Sequence, residues 1–395
     1  MSEISIRQIQ GKEMIDTLYG LASYAFHPTQ PLLKKDEWQK WIVERPESSC
    51  FVLYEDGSPL SCAASTAMIQ NVRGKIYDQA GVWGVATSPL ARWKGYCRQV
   101  LTSLFAASYE SGATFSCLYP FKESFYENLG YSTFHMSQLA RFKPEALMPL
   151  LKKDLGGEIQ FMSIQDGFDD YQKFLREYLL RVHGMTVTRQ IDPSKGIMNK
   201  AWMVKAMANG RVEGLMQYQI QGSEQDQGKF QFCALCFYYL SSQAKYLLLQ
   251  WIARHVDQAD RVLLVLSPNE QPNTWLSGLR VKTESYEAPM GRVISVANLG
   301  GMQVGEGSFT TKIRDPFCPW NEGLWHFSSE NGLLKVNRAE NADCEMNIQA
   351  LTALVYGTHD VDDFSWRGWA TIPDHLHDTV KQMFSRQTPF LDEEF

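Results

Sequence analysis

The chain has 395 residues, of which 44% are hydrophobic, 12% aromatic and 21% charged, and its formal charge is -6. At roughly 150 residues per domain this length corresponds to about 2.6 domains, which excludes a single small binding module, and the apolar content excludes a disordered chain. The acidic balance and the lack of any lysine and arginine cluster argue against nucleic acid or a membrane surface as partner, and favour neutral or cationic small substrates.

No run approaches the ~20 apolar residues of a membrane helix. The first residues, Met1 to Gln10, alternate like a strand and lack the features of a signal peptide, so a cytoplasmic protein is expected. Eight cysteines, Cys50, Cys62, Cys97, Cys117, Cys233, Cys236, Cys318 and Cys344, are scattered through apolar runs. They read as buried reduced thiols rather than a disulfide framework.

In chain order, Ile4–Ile9 reads as a strand and Lys12–Phe26 as a helix with Met14, Ile15, Leu18, Leu21, Ala22 and Ala25 at helical spacing. Strands at Cys50–Glu55 and Leu60–Met68 flank Asp56-Gly57-Ser58-Pro59 and predict a hairpin. A strand over Tyr77–Thr87 leads through a loop into a helix, Gly95–Ser111. A buried strand follows at Thr114–Tyr119, then a short helical segment at Glu123–Leu129 and a strand at Tyr131–Ala140. Strands interleaved with helices in this way predict an α/β or α+β layer around one sheet.

After the amphipathic Pro144–Lys153, Asp154 to Gly157 marks a boundary. A strand at Phe230–Leu240, a helix at Gln243–Gln258 and a strand at Arg261–Leu266 then repeat the earlier strand-helix-strand order, a hint of two related folds in tandem. A third region opens near Met290, with strands at Phe309–Ile313, Gly323–Ser328 and Leu333–Arg338 and helices at Asn347–Tyr356 and Pro373–Phe384. The predicted division is 1–150, 151–287 and 288–395.

The segment richest in chemistry is Val82-Trp-Gly-Val85-Ala86-Thr87-Ser88-Pro89-Leu-Ala-Arg92-Trp93-Lys94-Gly95-Tyr96-Cys97-Arg98. A strand ends at Thr87, Pro89 stops it, and a basic loop meets a glycine at the entrance of a helix. Helix N-termini present unpaired N–H groups and a positive dipole end, and Gly95 lets backbone approach a phosphate. Arg92, Lys94 and Arg98 add charge beside it. On these residues alone, an ordinary strand-loop-helix with surface cations explains the pattern as well as an anion site does.

Three other patterns carry little. Cys233 and Cys236 lie in an apolar strand where i and i+3 point to opposite faces. His375 and His377 lie on a helix, where i and i+2 diverge. Asp360 to Asp363 lacks the glycine and final glutamate of a calcium loop. No metal is expected.

The order of strand, Val85-Ala86-Thr87-Ser88-Pro89, Arg92-Trp93-Lys94-Gly95-Tyr96, helix and strand, followed by Phe125-Tyr126-Glu127-Asn128-Leu129-Gly130-Tyr131, resembles the GNAT N-acetyltransferase superfamily. The whole length resembles its enhanced intracellular survival protein family. Pro319-Trp320-Asn321, Asn347–Gly357 and a final phenylalanine after an acidic pair stand where that family places them. The resemblance implies a catalytic GNAT domain, a degenerate second GNAT domain and a sterol-carrier-protein-like domain, an α+β architecture throughout. Cys97 departs from the glycine or alanine that the broad superfamily prefers.

The resemblance implies acetyl-CoA as co-substrate. Val85, Ala86 and Thr87 would hold the pantetheine arm and polarise the thioester, and Arg92, Trp93, Lys94, Gly95, Tyr96, Cys97 and Arg98 would hold the diphosphate. Tyr126 is the implied acid, and the α-carboxylate of Phe395 the implied base. Phe26, His27, Trp38 and Glu394 are the candidates for the acceptor pocket, which would take a primary amine of a polycationic small molecule or of a lysine side chain. A ring-like homo-oligomer, a hexamer, is implied as well. The alternative, from a different class, is a non-catalytic lipid or acyl carrier or a CoA-regulated interaction protein.

Overall fold

The computed structural model describes residues 2–27, 29–32, 34–36, 38–39, 48–188, 201–222 and 230–392. In chain order the elements begin with β1 (Ile4–Ile9), α1 (Gly11–Phe26), β2 (Ser48–Glu55), β3 (Ser58–Val72), β4 (Lys75–Thr87), α2 (Tyr96–Glu110), β5 (Phe115–Leu118), α3 (Glu123–Glu127) and β6 (Ser132–Thr133). Then come β7 (Gln138–Phe142), β8 (Glu158–Ser163), α4 (Phe168–Leu179), β9 (Thr186–Thr188), β10 (Trp202–Ala208), β11 (Arg211–Gly222), β12 (Phe230–Tyr239), α5 (Ser242–Ala253), β13 (Arg261–Leu266) and β14 (Lys282–Ser285). The last part holds β15 (Met290–Val293), β16 (Ser308–Arg314), β17 (Gly323–Glu330), β18 (Leu333–Arg338), β19 (Cys344–Asn347), α6 (Ile348–Tyr356), β20 (Ala370–Thr371) and α7 (Asp374–Met383).

Two compact units result: Met1–Phe134 with Val182–Ile191 and Pro289–Phe395, and His135–Arg181 with Asp192–Ala288. In the first unit one sheet runs β1-β2-β3-β4-β5-β15-β6, with β9 added alongside β3. The β2–β3 hairpin turns on Asp56 and Gly57, both at positive φ (50° and 76°), the left-handed pair that a two-residue hairpin loop needs. Helix α1 buries Met14, Leu18, Leu21 and Ala22 on one face of the sheet. Helix α2 buries Tyr96, Val100, Leu101, Leu104 and Phe105 on the other, at the helical spacing read in the sequence.

The strand expected over Tyr131–Ala140 is in fact two. β6 pairs with β15 in the first sheet, whereas β7 pairs with β13 and β14 in the sheet of the second unit. Likewise the strand at Met290 joins the first sheet, where β15 lies between β5 and β6. The second sheet thus takes β7 from the stretch expected to build the first domain, and the first sheet takes β15 from the stretch expected to build the third. Alternation identifies an extended segment, but the sheet edge it joins is a long-range choice.

The third sheet, β18-β17-β16-β19-β20, belongs to the first unit. Its helix α6 is capped by Asn347, whose Oδ1 accepts from Ala350 N at 3.0 Å, and is buried over Ile348 and Ala350–Tyr356. A helix buried all round needs apolar partners on both sides. Here α6 shares one core with Phe115, Phe134 and Val293 of the first sheet and with Phe309, Phe327 and Met346 of the third.

Polar pins join the same elements. Arg73, in the β3–β4 turn, is buried and donates from Nε to Val355 O at 2.7 Å and from Nη2 to Leu354 O at 2.9 Å and Ser385 O at 2.7 Å. It thus places a cation at the carbonyl end of α6, where the helix dipole favours one. His183 accepts from Arg73 N at Nδ1 (3.0 Å) and donates from Nε2 to Tyr356 O (2.9 Å), which requires the neutral ring. Burial pulls its pKa down from 6.5 to about 4.

Because the unfolded ring binds its proton near pH 6.5, the unfolded state is the more protonated one between about pH 4 and pH 6.5. Stability of the first unit is therefore expected to fall as pH drops through that window. Thermal melts from pH 7.5 to 4 check this, and His183→Gln should flatten the dependence across it.

In the second unit the sheet runs β14-β7-β13-β12-β11-β10-β8. β12 and β13 are parallel for four pairs ending at Ala234 and Leu264, and β12 carries one extra residue against Gln217 and Tyr218 immediately beyond. Helix α5 follows at once, its first turn closed by Ser241 Oγ, which accepts from Ala244 N at 3.3 Å. The architecture repeats that of the first sheet, as the strand-helix-strand order predicted, but a serine hydroxyl takes the place of an open glycine loop. All eight cysteines are free thiols, and among the described residues no group of three or more His, Cys, Asp or Glu converges as a metal site needs.

Candidate active site

The site starts from a bulge. Between the pairs Ala64↔Trp83 and Cys62↔Ala86, Gly84 and Val85 of β4 stand opposite the single Ala63, with Gly84 at φ 60°. Beyond it, Ser88 N donates back to Leu60 O at 2.8 Å. Strand alternation then turns the peptide groups of Val85 and Thr87 away from β3. On that side the parallel β4–β5 ladder has already ended, its three pairs closing at Gly81↔Cys117. β4 and β5 therefore part into a notch edged by free strand backbone.

The mouth of the notch is the start of α2. A short turn, Pro89–Ala91, carries the loop to Gly95, which caps α2 in the left-handed conformation at φ 79°. A Cβ built on Gly95 would meet nothing within 4 Å, so the space above the helix terminus is open to a phosphate. Arg92 and Arg98 are exposed beside it, and the Arg98 guanidinium lies 6.0 Å from the Phe317 ring centroid. Trp93 is fully exposed.

Lys94 is engaged elsewhere. Its Nζ pairs with Glu55 Oε2 at 2.8 Å, and Tyr96 Oη donates to Glu55 Oε1 at 2.7 Å. These two bonds hold the Glu55 carboxyl below the usual carboxylate range. Glu55 thus ties the loop to β2, a partnership that sequence spacing does not report because 39 residues separate Lys94 from Glu55.

On the α2 side of the sheet, Val85, Ala91, Tyr96, Cys97, Leu118 and Tyr126 meet in one apolar cluster. Ala86 faces the other way, onto α1. Thr87 shares a hydrogen bond with Ser61 Oγ at 2.8 Å. The Cys97 thiol is pushed up to about 11 by burial, with an opposing hydrogen bond from Thr87. Tyr126 is 3% exposed, with its ring 5.6 Å from Phe121, 5.1 Å from Phe125 and 5.8 Å from Tyr131. Burial, then the neighbouring Cys97, raises the Tyr126 phenol above its ordinary value, so it stays protonated at neutral pH.

The first unit thus combines a split parallel ladder, a bulged strand, a glycine-led helix and a buried, protonated phenol. Residues 5–134 match the Acetyltransferase (GNAT) domain family, and residues 296–392 match the Sterol carrier protein domain family. The chain carries a GNAT acetyltransferase domain. The fold is a tandem GNAT pair followed by a sterol carrier protein domain.

Solved structures agree in fold. A GCN5-related N-acetyltransferase from Anabaena variabilis superposes with a TM-score of 0.84 at 15% identity, over 99% of this chain and 100% of the other. A “Probable N-Acyltransferase” from Enterococcus faecalis gives 0.83 at 20% identity, over 100% of both chains. Eis1 from Mycobacterium abscessus gives 0.77 at 17% identity, over 99% of this chain and 100% of the other. Among curated proteins, none matches this chain in sequence.

The remaining candidates of the GNAT domain lie around α1. Phe26, 54% exposed, ends the helix and His27 follows it, also exposed. Trp38 is partly buried and packs edge-on against Tyr19 at 5.8 Å, joining Trp83 at the border of the α1 core. Glu394 and Phe395 lie outside the described residues. The chain just before them is well placed: Phe390 N donates to His183 O at 2.9 Å, and Tyr119 Oη donates to Leu391 O at 3.3 Å. Tyr119 is the first residue after β5, so the last described turns of the chain reach the strand that forms one side of the notch. Sequence reading passed over Glu55 and Tyr119, because neither carries a motif and both act through partners far along the chain.

Proposed function

We propose that the chain is an acetyl-CoA-dependent N-acetyltransferase acting on primary amines, either of a polycationic small molecule or of lysine side chains, by direct transfer in a ternary complex. The observation that carries this reading is the notch between β4 and β5, with Gly95 open at its mouth and Tyr126 protonated inside. The donor supplies an acetyl group activated as a thioester. Val85 and Thr87 offer backbone groups along the arm, and the Val85 N–H side of the bulge suits a carbonyl oxygen gaining negative charge. Arg92, Arg98 and the first N–H groups of α2 suit a diphosphate. Lys94 contributes less to it, being neutralised by Glu55.

The acceptor nitrogen must lose a proton as the N–C bond forms, and the sulfur must gain one as the C–S bond breaks. Tyr126 is assigned the second proton. The first goes to the α-carboxylate of Phe395, a reading supported by the tail's course along His183 and Tyr119. A free carboxyl near ~3.5 is a weak base toward an ammonium near ~10. It therefore acts on amine already partly deprotonated, and the rate rises toward alkaline pH. The carrier alternative is less favoured, since the inner face of the third sheet is filled by Phe309, Trp325, Phe327, Leu351 and Leu354.

The test is acetyl-CoA consumption with an aminoglycoside, a polyamine and a lysine peptide. Amine-dependent release of CoA thiol with at least one of them is expected, and loss of it when the C-terminus is amidated or extended by a tag. No consumption with any of the three would reject the activity, and full activity with a long tag would remove Phe395 from it.

A further inference from the structure

A second cavity, about 330 Å³, lies at the far end of α2, between Tyr109 and the β17–β18 edge of the third sheet. Fifteen residues of helix at 1.5 Å each put it roughly 20 Å from Gly95, well away from the notch. Its volume is that of roughly ten waters at about 30 Å³ each. Two kinds of surface line it. One is aromatic: Tyr109 stacks on Trp320 at 4.5 Å and 18°, and Trp325 stands beside them. The indole N–H groups are both spent, Trp320 Nε1 on Ile294 O and Trp325 Nε1 on Asn321 O, each at 2.7 Å, so these rings offer the cavity only hydrocarbon and π surface.

The other surface is donor-rich. Among the described residues, Arg338 is the one charged residue of the lining, held over the Trp325 ring at 3.8 Å by bonds from Nη1 to Glu322 O (2.8 Å) and Nη2 to Trp320 O (3.0 Å). Two of its five N–H groups are thereby used and the guanidinium is fixed in place. Ser295 is 1% exposed, and its Oγ has no hydrogen-bond partner among the described residues. A buried hydroxyl left unpaired is a cost that a bound acceptor removes. Asn337 adds an exposed amide. Among the described residues, no carboxylate lines the cavity to neutralise Arg338 from within.

We propose that this cavity is a binding site for a small aromatic monocarboxylate, its ring against the Tyr109–Trp320 stack and its carboxylate toward Arg338 and Ser295. Ring walls supply the apolar contact, and one fixed cation with two neutral donors matches one carboxylate. The site is independent of the acetyl-transfer reading.

The probes are benzoate and its neutral isostere benzamide, titrated into the full chain by calorimetry with tryptophan fluorescence as a second signal. Saturable benzoate binding at least tenfold tighter than benzamide binding is expected. Arg338→Gln should weaken benzoate at least tenfold and erase the preference. Should that variant fail to fold, Asn337→Asp, at an exposed position, should weaken benzoate and spare benzamide. Saturating acetyl-CoA should leave both affinities unchanged. No saturable benzoate binding, equal affinity for benzamide, displacement by acetyl-CoA, or binding indifferent to Asn337→Asp would each overturn the proposal.

Discussion

Tyr126→Phe is expected to lower kcat by about 10²- to 10⁴-fold, the usual contribution of a positioned proton donor, with CoA affinity nearly unchanged. The substitution keeps the ring, so the edge contacts with Phe121, Phe125 and Tyr131 persist and the fold is a poor explanation for any loss. In water a phenol near ~10 would protonate a thiolate whose acid is near ~8.5 uphill by about 2 kcal/mol. Burial raises the phenol further, but it also raises the thiol beside it. Cys97 stands at about 11 in the same pocket, and a sulfur leaving there is likewise more basic than in water. Since Tyr126 is held protonated, the alkaline rise in rate comes from the amine and should survive in the variant. Steady-state kinetics across pH 6.5 to 9, with CoA binding by calorimetry, check both statements. Unchanged turnover would take Tyr126 out of the mechanism.

Asp315→Ala is expected to cost the first unit about 3–5 kcal/mol, the penalty of leaving a buried charge without its partner. Arg292 and Asp315 are both fully buried, 2.7 Å apart. Burial, the largest influence, would pull the Arg292 pKa down, but Asp315 together with Cys318 and Tyr131 outweighs it, so the guanidinium is held above its ordinary range. The pair sits in a satisfied network. Arg292 Nε donates to Leu129 O and Nη1 to Val293 O, both at 2.7 Å, and Asp315 Oδ2 accepts from Asn321 Nδ2 at 2.9 Å. Replacing both charges, as Arg292→Met with Asp315→Leu, should recover much of the loss, because no charge then remains to be solvated. Denaturant unfolding of the two single variants and the double variant checks this. A double variant as unstable as the worse single one would mean that the pair is held by packing rather than by charge. Leu129 closes the turn after Tyr126, its N–H donating to Tyr126 O at 2.9 Å, so the single variants should lose turnover as well as stability.

Much of the site was legible in the residues. Gly95 opening a helix, Pro89 ending a strand and the Asp56-Gly57 turn each express a backbone requirement met by one or two adjacent residues. The helical spacing of Val100, Leu101, Leu104 and Phe105 is likewise local. The partner of Lys94, Glu55, was not legible there. The charge of Lys94 was visible, but whether it faces a phosphate or Glu55 depends on where the β2–β3 hairpin lies. Tyr119 reads in the sequence as the end of a strand, and its bond to Leu391 spans 272 residues of chain.

The same line divides the whole protein. Periods of 2 and 3.6, turn residues and caps are short-range physics, so the kinds of element, their order and the repeated strand-helix-strand unit follow from the sequence. Which strand completes which sheet does not. β7 and β15 have the same local signature as any short strand, and each was claimed by a sheet assembled from distant chain, where burial and cross-strand pairing outweigh local preference. The strand exchange, the burial of α6 against two sheets and the course of the tail past Tyr119 are all such long-range choices.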